Sequence, residues 1–223
     1  RSSDLFFLIL NLSSQASGLY IIDVMSNSFV KKQYNKLAEN YLAGRDHFKN
    51  DKYLEKLNTL LQPKSHILDI GCGAGIPIDR YFIEKGHSVT GTDISDKQIE
   101  LAKKNVPQGD FKVEDMSLMS EGEYNVDAVV SFYAIFHTKR ETHEIIFSKI
   151  NSFLKKDGYL LITMGSSEWE GRVGDFFGGE MEWSHYGAEK NLQLVENAGF
   201  DIIFNEIDTS GNEKHLVILA RKK

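Results

Sequence analysis

The sequence is poor in several things that would announce a function. Among 223 residues there is one cysteine, Cys72, so no internal disulfide and no cysteine-held metal cluster can form, as befits a reducing compartment. The seven histidines, His47, His66, His87, His137, His143, His185 and His215, contain no i,i+4 pair of the zinc-protease kind, and no metal is expected. Basic residues are outnumbered, 26 against 32 acidic, for a net charge of −6. Non-specific nucleic-acid binding rests on phosphate neutralisation, so nucleic acid is not an expected partner. The one conspicuous apolar run, Leu5 to Leu10, is six residues long, whereas a bilayer takes roughly 20. The expectation is therefore a cytoplasmic chain without a membrane span. Repeats and low-complexity tracts are lacking too.

What is present suits one α/β domain: 41% hydrophobic and 26% charged residues, enough for a sizeable core. Residues 1–24 are set apart as an extension, and a single domain is expected over 25–223. Val30, Tyr34, Leu37, Ala38, Tyr41 and Leu42 recur at helical spacing, and a second short helix is expected over Asp51 to Leu61, making 25–62 a helical cap. Strands and helices then alternate. Strands are expected at His66–Ile70, Ser88–Asp93, Asp110–Glu114, Val126–Tyr133 and Tyr159–Met164. The intervening helices run from Ile76 to Lys85, from a capping box at Ser95–Gln98 to about Asn105, and from a second capping box at Thr138–Glu141. Behind that second box Ile145, Ile146, Ile150, Phe153 and Leu154 form a buried stripe, with Gly158 as the stop. A helix over about Ala188–Asn197 and a terminal hairpin of Asp201–Ile207 with His215–Ala220 complete the pattern.

Alternation of this kind means a doubly wound, mostly parallel seven-stranded sheet with helices on both faces and an antiparallel C-terminal hairpin. Ligands of such sheets bind beyond the carboxyl ends of the strands. There the chain has Leu68-Asp69-Ile70-Gly71-Cys72-Gly73-Ala74-Gly75-Ile76, whose glycines let a ligand approach bare backbone. A dinucleotide fingerprint needs its third glycine one position later, where Ile76 stands, so a nicotinamide dehydrogenase is disfavoured.

An acidic residue, one spacer and Gly-x-Gly-x-Gly, with Asp93 at the next strand end and Glu114-Asp115-Met116 at the third, resemble the class I S-adenosylmethionine-dependent methyltransferases of the small-molecule type. The resemblance covers roughly residues 28–220. It implies S-adenosyl-L-methionine as cofactor, a Rossmann-like fold, and a ligand set of Asp69, Gly71, Cys72, Gly73, Gly75, Asp93, Ile94, Glu114, Asp115, Met116, Phe132 and Tyr41. Within that set Asp93 holds the ribose hydroxyls, Ile94 packs on the adenine, Asp115 reads the adenine edge, and Asp69 sits near the methionine ammonium. Bland roles stand beside these: Asp93 as a helix cap, Asp115 as a turn residue, Tyr34 and Tyr41 as core, Cys72 as filler.

The methyl acceptor is expected to be a small molecule. The fourth strand exits through Ser131-Phe132-Tyr133-Ala134 without the proline-rich element of amino-directed DNA and glutamine methyltransferases. The long stretch 165–186, with both tryptophans, reads as a lid or acceptor loop. Phe136, Trp169, Trp183 and Tyr186 are the candidate acceptor contacts, and His137 and His185 the candidate catalytic bases. The alternatives are a module that holds S-adenosylmethionine without transferring methyl, a modified-cofactor enzyme, and a protein or RNA methyltransferase. The oligomeric state is not legible.

Overall fold

The computed structural model describes residues 27–44, 50–210 and 213–223. The expected extension 1–24, with its apolar run, lies outside the described residues. No described helix is long and apolar enough to cross a membrane.

Seven strands form the main sheet: β1 (His66–Ile70), β2 (Ser88–Asp93), β3 (Asp110–Val113), β4 (Val126–Ser131), β5 (Leu154–Gly165), β8 (Phe200–Asp208) and β9 (His215–Lys222), in the order β3-β2-β1-β4-β5-β9-β8. Pairings from β3 to β5 are parallel, and β9 is antiparallel to both β5 and β8. The order reverses at β1 and β4, opening a crevice beyond their carboxyl ends. Strands covered on both faces need apolar residues pointing both ways. Accordingly Leu68, Val129 and Leu160 pack on one side with α5 (His143–Phe153) and α6 (Ala188–Asn197). Their neighbours Ile67, Val130 and Leu161 pack on the other with α2 (Asp51–Asn58) and α3 (Ile78–Glu84).

The helix α1 covers 27–44 and buries Val30, Tyr34, Leu37 and Ala38 as its spacing predicts. It docks on the start of α4 (Asp96–Asn105): Asn35 accepts from the Ser95 hydroxyl at 2.7 Å and the Lys97 amide at 3.2 Å, and Lys31 pairs with Asp96 at 2.8 Å. Among the described residues of the expected cap, α1 covers the crevice. The second expected cap helix, α2, buries Tyr53, Leu54 and Leu57 in the sheet core instead.

Three local expectations are corrected. Ser95 does cap α4, its hydroxyl accepting from the Gln98 amide, but the reciprocal half of the box is not formed, because the Ser95 amide donates to Asp93 Oδ1. The Thr138 box does not form, because the Thr138 hydroxyl donates back to the Ile135 carbonyl at 2.7 Å. One short 3₁₀ turn (Ile135–His137) precedes Thr138, another (Arg140–Thr142) follows, and α5 starts only at His143, on a face that leaves Ile145 58% exposed. Gly158 is no helix stop either: α5 ends at Phe153, and β5 already begins at Leu154, with a bulge between its pairings to Val126 and Ala128.

The stretch 165–186 is mostly not loop. It forms an antiparallel hairpin of β6 (Trp169–Phe176) and β7 (Gly179–His185). The turn residues Phe177 and Gly178 both have positive φ, 50° and 87°, which favours the twist of a tight hairpin. A bulky residue holds that conformation at a cost. Phe177 is fixed by its ring contact with Tyr41 at 5.3 Å and by a seat on Gly44, where any Cβ would come within 2.2 Å of the ring.

Candidate active site

The crevice beyond β1 and β4 is a cavity of about 860 Å³, counted to its open mouth. Its floor comes from the loops after β1, β2, β3 and β4, and its roof from α1. Gly71, Cys72, Gly73, Asp93, Ile94, Glu114, Asp115, Met116, Phe132 and Tyr41 all line it. Gly73 has φ 55°, and a Cβ there would have nothing nearer than Gln98 Oε1 at 3.8 Å. The space in front of its backbone is open to a ligand. Gly75, also in the left-handed region, faces Val106 and Ala102 of the α4 segment within 3.4 Å and serves close packing rather than the cavity.

Asp93 is held where a carboxylate can hang into this space. Its Oδ2 accepts from the Gly73 amide at 3.0 Å and its Oδ1 from the Ser95 amide at 2.8 Å. Burial pushes its pKa up to about 6, against the pull of those two amides. It is both a brace for the glycine loop and an acceptor with lone pairs left over. Asp115 accepts from Ser117 and, on Oδ2, from Asn27 of α1 at 2.8 Å, so the turn role is present and also ties the roof down. The Glu114 carboxylate is engaged by Tyr124 and Lys112. Asp69 does not line the cavity. It is fully buried under the loop beside Asp79, whose carboxyl is pushed well above the usual carboxylate range by burial first and by the charge of Asp69 next. Cys72 is buried, its thiol pushed up by burial and donating to the Gly73 carbonyl; it is filler.

The sequence marks one residue of the site, Gln98, only as part of a cap, and another, Tyr133, only as part of the exit from the fourth strand. Gln98 serves the Ser95 cap through its backbone amide, yet its side chain is 1% exposed, lines the cavity, and has no hydrogen-bond partner on either amide atom. A buried amide left unpaired costs about 1–3 kcal/mol, so this one points to a polar ligand in the cavity. Tyr133 sits at φ 58°, pinned by its amide to Thr163 Oγ1 at 2.6 Å and by its hydroxyl to Asn50 at 2.9 Å. It lines the wall beyond β4.

Comparison with known proteins matches this geometry. A methyltransferase-domain family model matches residues 67–158. The putative methyltransferase YqeM of Bacillus subtilis is 25% identical over 194 residues, covering 82% of this chain and 78% of its own. Cyclopropane mycolic acid synthase MmaA2 of Mycobacterium tuberculosis is 32% identical over 117 residues, 51% of this chain, and the match spans only 40% of the synthase. A solved S-adenosylmethionine-dependent methyltransferase from Methanosarcina mazei is 27% identical with a TM-score of 0.64, covering 75% of this chain and 96% of that one. The chain carries a methyltransferase domain, and its fold and relatives are those of the class I S-adenosylmethionine-dependent methyltransferases.

S-adenosyl-L-methionine is therefore its cofactor, and the cavity fits the molecule: bare backbone at Gly73, a braced carboxylate at Asp93, and an unpaired buried amide at Gln98. The other candidate residues separate into groups. His137 lines this methyltransferase cavity, but both its ring nitrogens are engaged. Nδ1 faces the Glu182 carbonyl at 2.8 Å, which accepts only, so Nδ1 donates and Nε2 accepts from the Tyr34 hydroxyl at 2.8 Å. Burial drops its pKa to about 4. A neutral ring tied at both ends ties α1 to the hairpin rather than taking a proton directly.

Phe136, Trp169, Trp183 and His185 line a second cavity of about 1,070 Å³ under the hairpin. Tyr186 reaches neither cavity. Its ring lies under the Arg140 guanidinium and against His143, because α6 begins two residues later and turns it inward. The lid glutamates are also accounted for: Glu168 and Glu170 pair with Arg140, and Glu180 and Glu182 with Arg172.

Proposed function

We propose that this enzyme methylates a small molecule held under the aromatic cover that α1 and the hairpin form together. The observation that carries the reading is the roof itself. Tyr34 and Tyr41 of α1 interlock with Phe176, Phe177 and Trp183 of the hairpin, at ring separations of 4.8 to 6.3 Å. Such a cover excludes water and admits a compact acceptor, where a protein or RNA strand would need an open groove. The net charge of −6 points the same way.

In this reading the cofactor is held by the Gly71–Gly75 loop, Asp93, Ile94, Gln98 and the Glu114–Met116 turn. When bound it supplies an activated sulfonium methyl, whose carbon the acceptor's lone pair takes while the C–S electron pair stays on sulfur. The chain's own part is alignment and exclusion of water. Tyr34, Tyr41 and Phe132 shape the far wall, and His137, locked by Glu182 and Tyr34, sets the distance between floor and roof. Incubating the enzyme with S-adenosylmethionine and pools of small metabolites, and measuring S-adenosylhomocysteine together with a 14-Da gain in one pool member, tests it. Turnover on proteins or RNA with none on any small molecule would overturn it.

A further inference from the structure

The second cavity has a composition of its own. Its walls are the rings of Phe136, Trp169, Phe176 and Trp183. Its titratable lining is Asp175, Glu213, Lys214, His185 and His215. Two carboxylates against one ammonium leave one negative charge when the histidines are neutral. Glu213 lies 3.4 Å from His215 Nε2, and that contact holds its carboxyl below the usual range.

His185 is built into place with unusual closeness. Its imidazole lies flat on Gly165 at the end of β5, where any Cβ would stand 1.9 Å from Nδ1. Nδ1 meets the Ser167 carbonyl at 2.8 Å. A carbonyl only accepts, so Nδ1 carries the proton and Nε2 keeps the ring's lone pair. Burial favours that neutral form. The cavity thus combines aromatic faces, a net negative charge and an imidazole acceptor. These are the means by which proteins hold an amine-derived cation.

The two cavities stand back to back. Phe136 lines one and His137 the other. Trp183 lies 5.6 Å from the His137 ring, and Phe176 lies 6.3 Å from Tyr34. The partition between them consists of these side chains, two of which belong to the hairpin.

We propose that the second cavity binds the methyl acceptor and that this acceptor carries an amine: the four aromatic rings surround its cationic nitrogen, Glu213 faces its charge, and His185 Nε2 accepts from its N–H. The assignment rests on the methyltransferase reading above. Acceptor and cofactor are then neighbours across the Trp183–His137 partition.

The chain has two tryptophans, Trp169 and Trp183, and both line this cavity, so intrinsic tryptophan emission reports on it directly. The full chain is titrated with benzyltrimethylammonium, benzylamine, benzyl alcohol and benzoate, with S-adenosylhomocysteine binding followed in parallel by calorimetry. Both cations should change the emission saturably and bind about tenfold tighter than benzoate, with the alcohol between. Glu213→Gln should narrow the gap between cations and benzoate by about threefold to tenfold. His185→Phe should weaken benzylamine, which donates N–H, at least threefold more than benzyltrimethylammonium, which does not. Benzoate binding as tightly as the cations, or no saturable change with either cation, overturns the proposal. If S-adenosylhomocysteine still binds in that case, the acceptor-site assignment alone falls; if it does not bind, the cofactor reading falls with it.

Discussion

At the floor of the first cavity the glycine loop presents backbone from Gly71 to Ala74, braced by a single carboxylate from the next strand. The roof consists of side chains from α1 and the β4 exit, 103 residues apart at the Tyr34–His137 contact, with the hairpin's rings packed behind them. The floor is a fixed electrostatic cradle. The roof is an aromatic cover whose members hold one another. Substitutions at the floor should therefore strike cofactor affinity, and substitutions at the roof should strike turnover.

The sharpest break should come at Gly73. Gly73→Val sets a branched side chain at φ 55° and into the open space in front of the loop, and S-adenosylhomocysteine affinity measured by calorimetry should fall at least about a hundredfold. Asp93→Ala should cost about 1–3 kcal/mol of cofactor binding through lost charged hydrogen bonds, with melting temperature lowered as well, since the brace on Gly73 goes too. Undiminished affinity in that variant would remove Asp93 from the cofactor contacts.

The same residue predicts a pH dependence. Its carboxyl ionises near pH 6 in the free protein, and ribose hydroxyls donate to the ionised form, so binding favours loss of the proton. Affinity should be level above about pH 7 and fall about tenfold between pH 7 and pH 5. Asp93→Asn should bind more weakly and show a flat profile over that range. The smallest floor effect is expected at Gln98: Gln98→Leu should weaken cofactor binding by about threefold to tenfold while raising the melting temperature of the free protein, because it removes two unpaired buried polar atoms. At the roof, Phe176→Ala should leave cofactor affinity within about twofold while lowering turnover through loss of the aromatic cover. Equal effects of Phe176→Ala on both quantities would erase the distinction between floor and roof.

Much of the frame was legible because it depends on short-range pattern. The run His66–Ile70, the segment Ser88–Asp93 and the helix Ala188–Asn197 have the bounds expected of them, since buried parallel strands and amphipathic helices write their period into neighbouring residues. The Thr138 box failed because a hydroxyl has more than one carbonyl or amide in reach, and Ile135 won. The hairpin read as loop because its two strands pair only with each other and lie over the cavities, so no alternation of buried and exposed residues marks them. Gln98 was hidden for a different reason. Its amide N–H caps the helix as the motif says, while where its side chain points depends on Gly73, 25 residues earlier.

By itself the sequence determined the order of strands and helices, the glycine loop, and the acidic residue at each of the next strand ends, because these follow from local periodicity and from backbone that only glycine tolerates. The tertiary structure alone decided that His137 is tied at both nitrogens, that His185 is seated on Gly165 in a separate cavity, that Tyr186 faces neither, and that α1 and the hairpin share one roof. Those are contacts between segments far apart along the chain, and the direction of a side chain there is set by whichever partner the packed sheet brings to it.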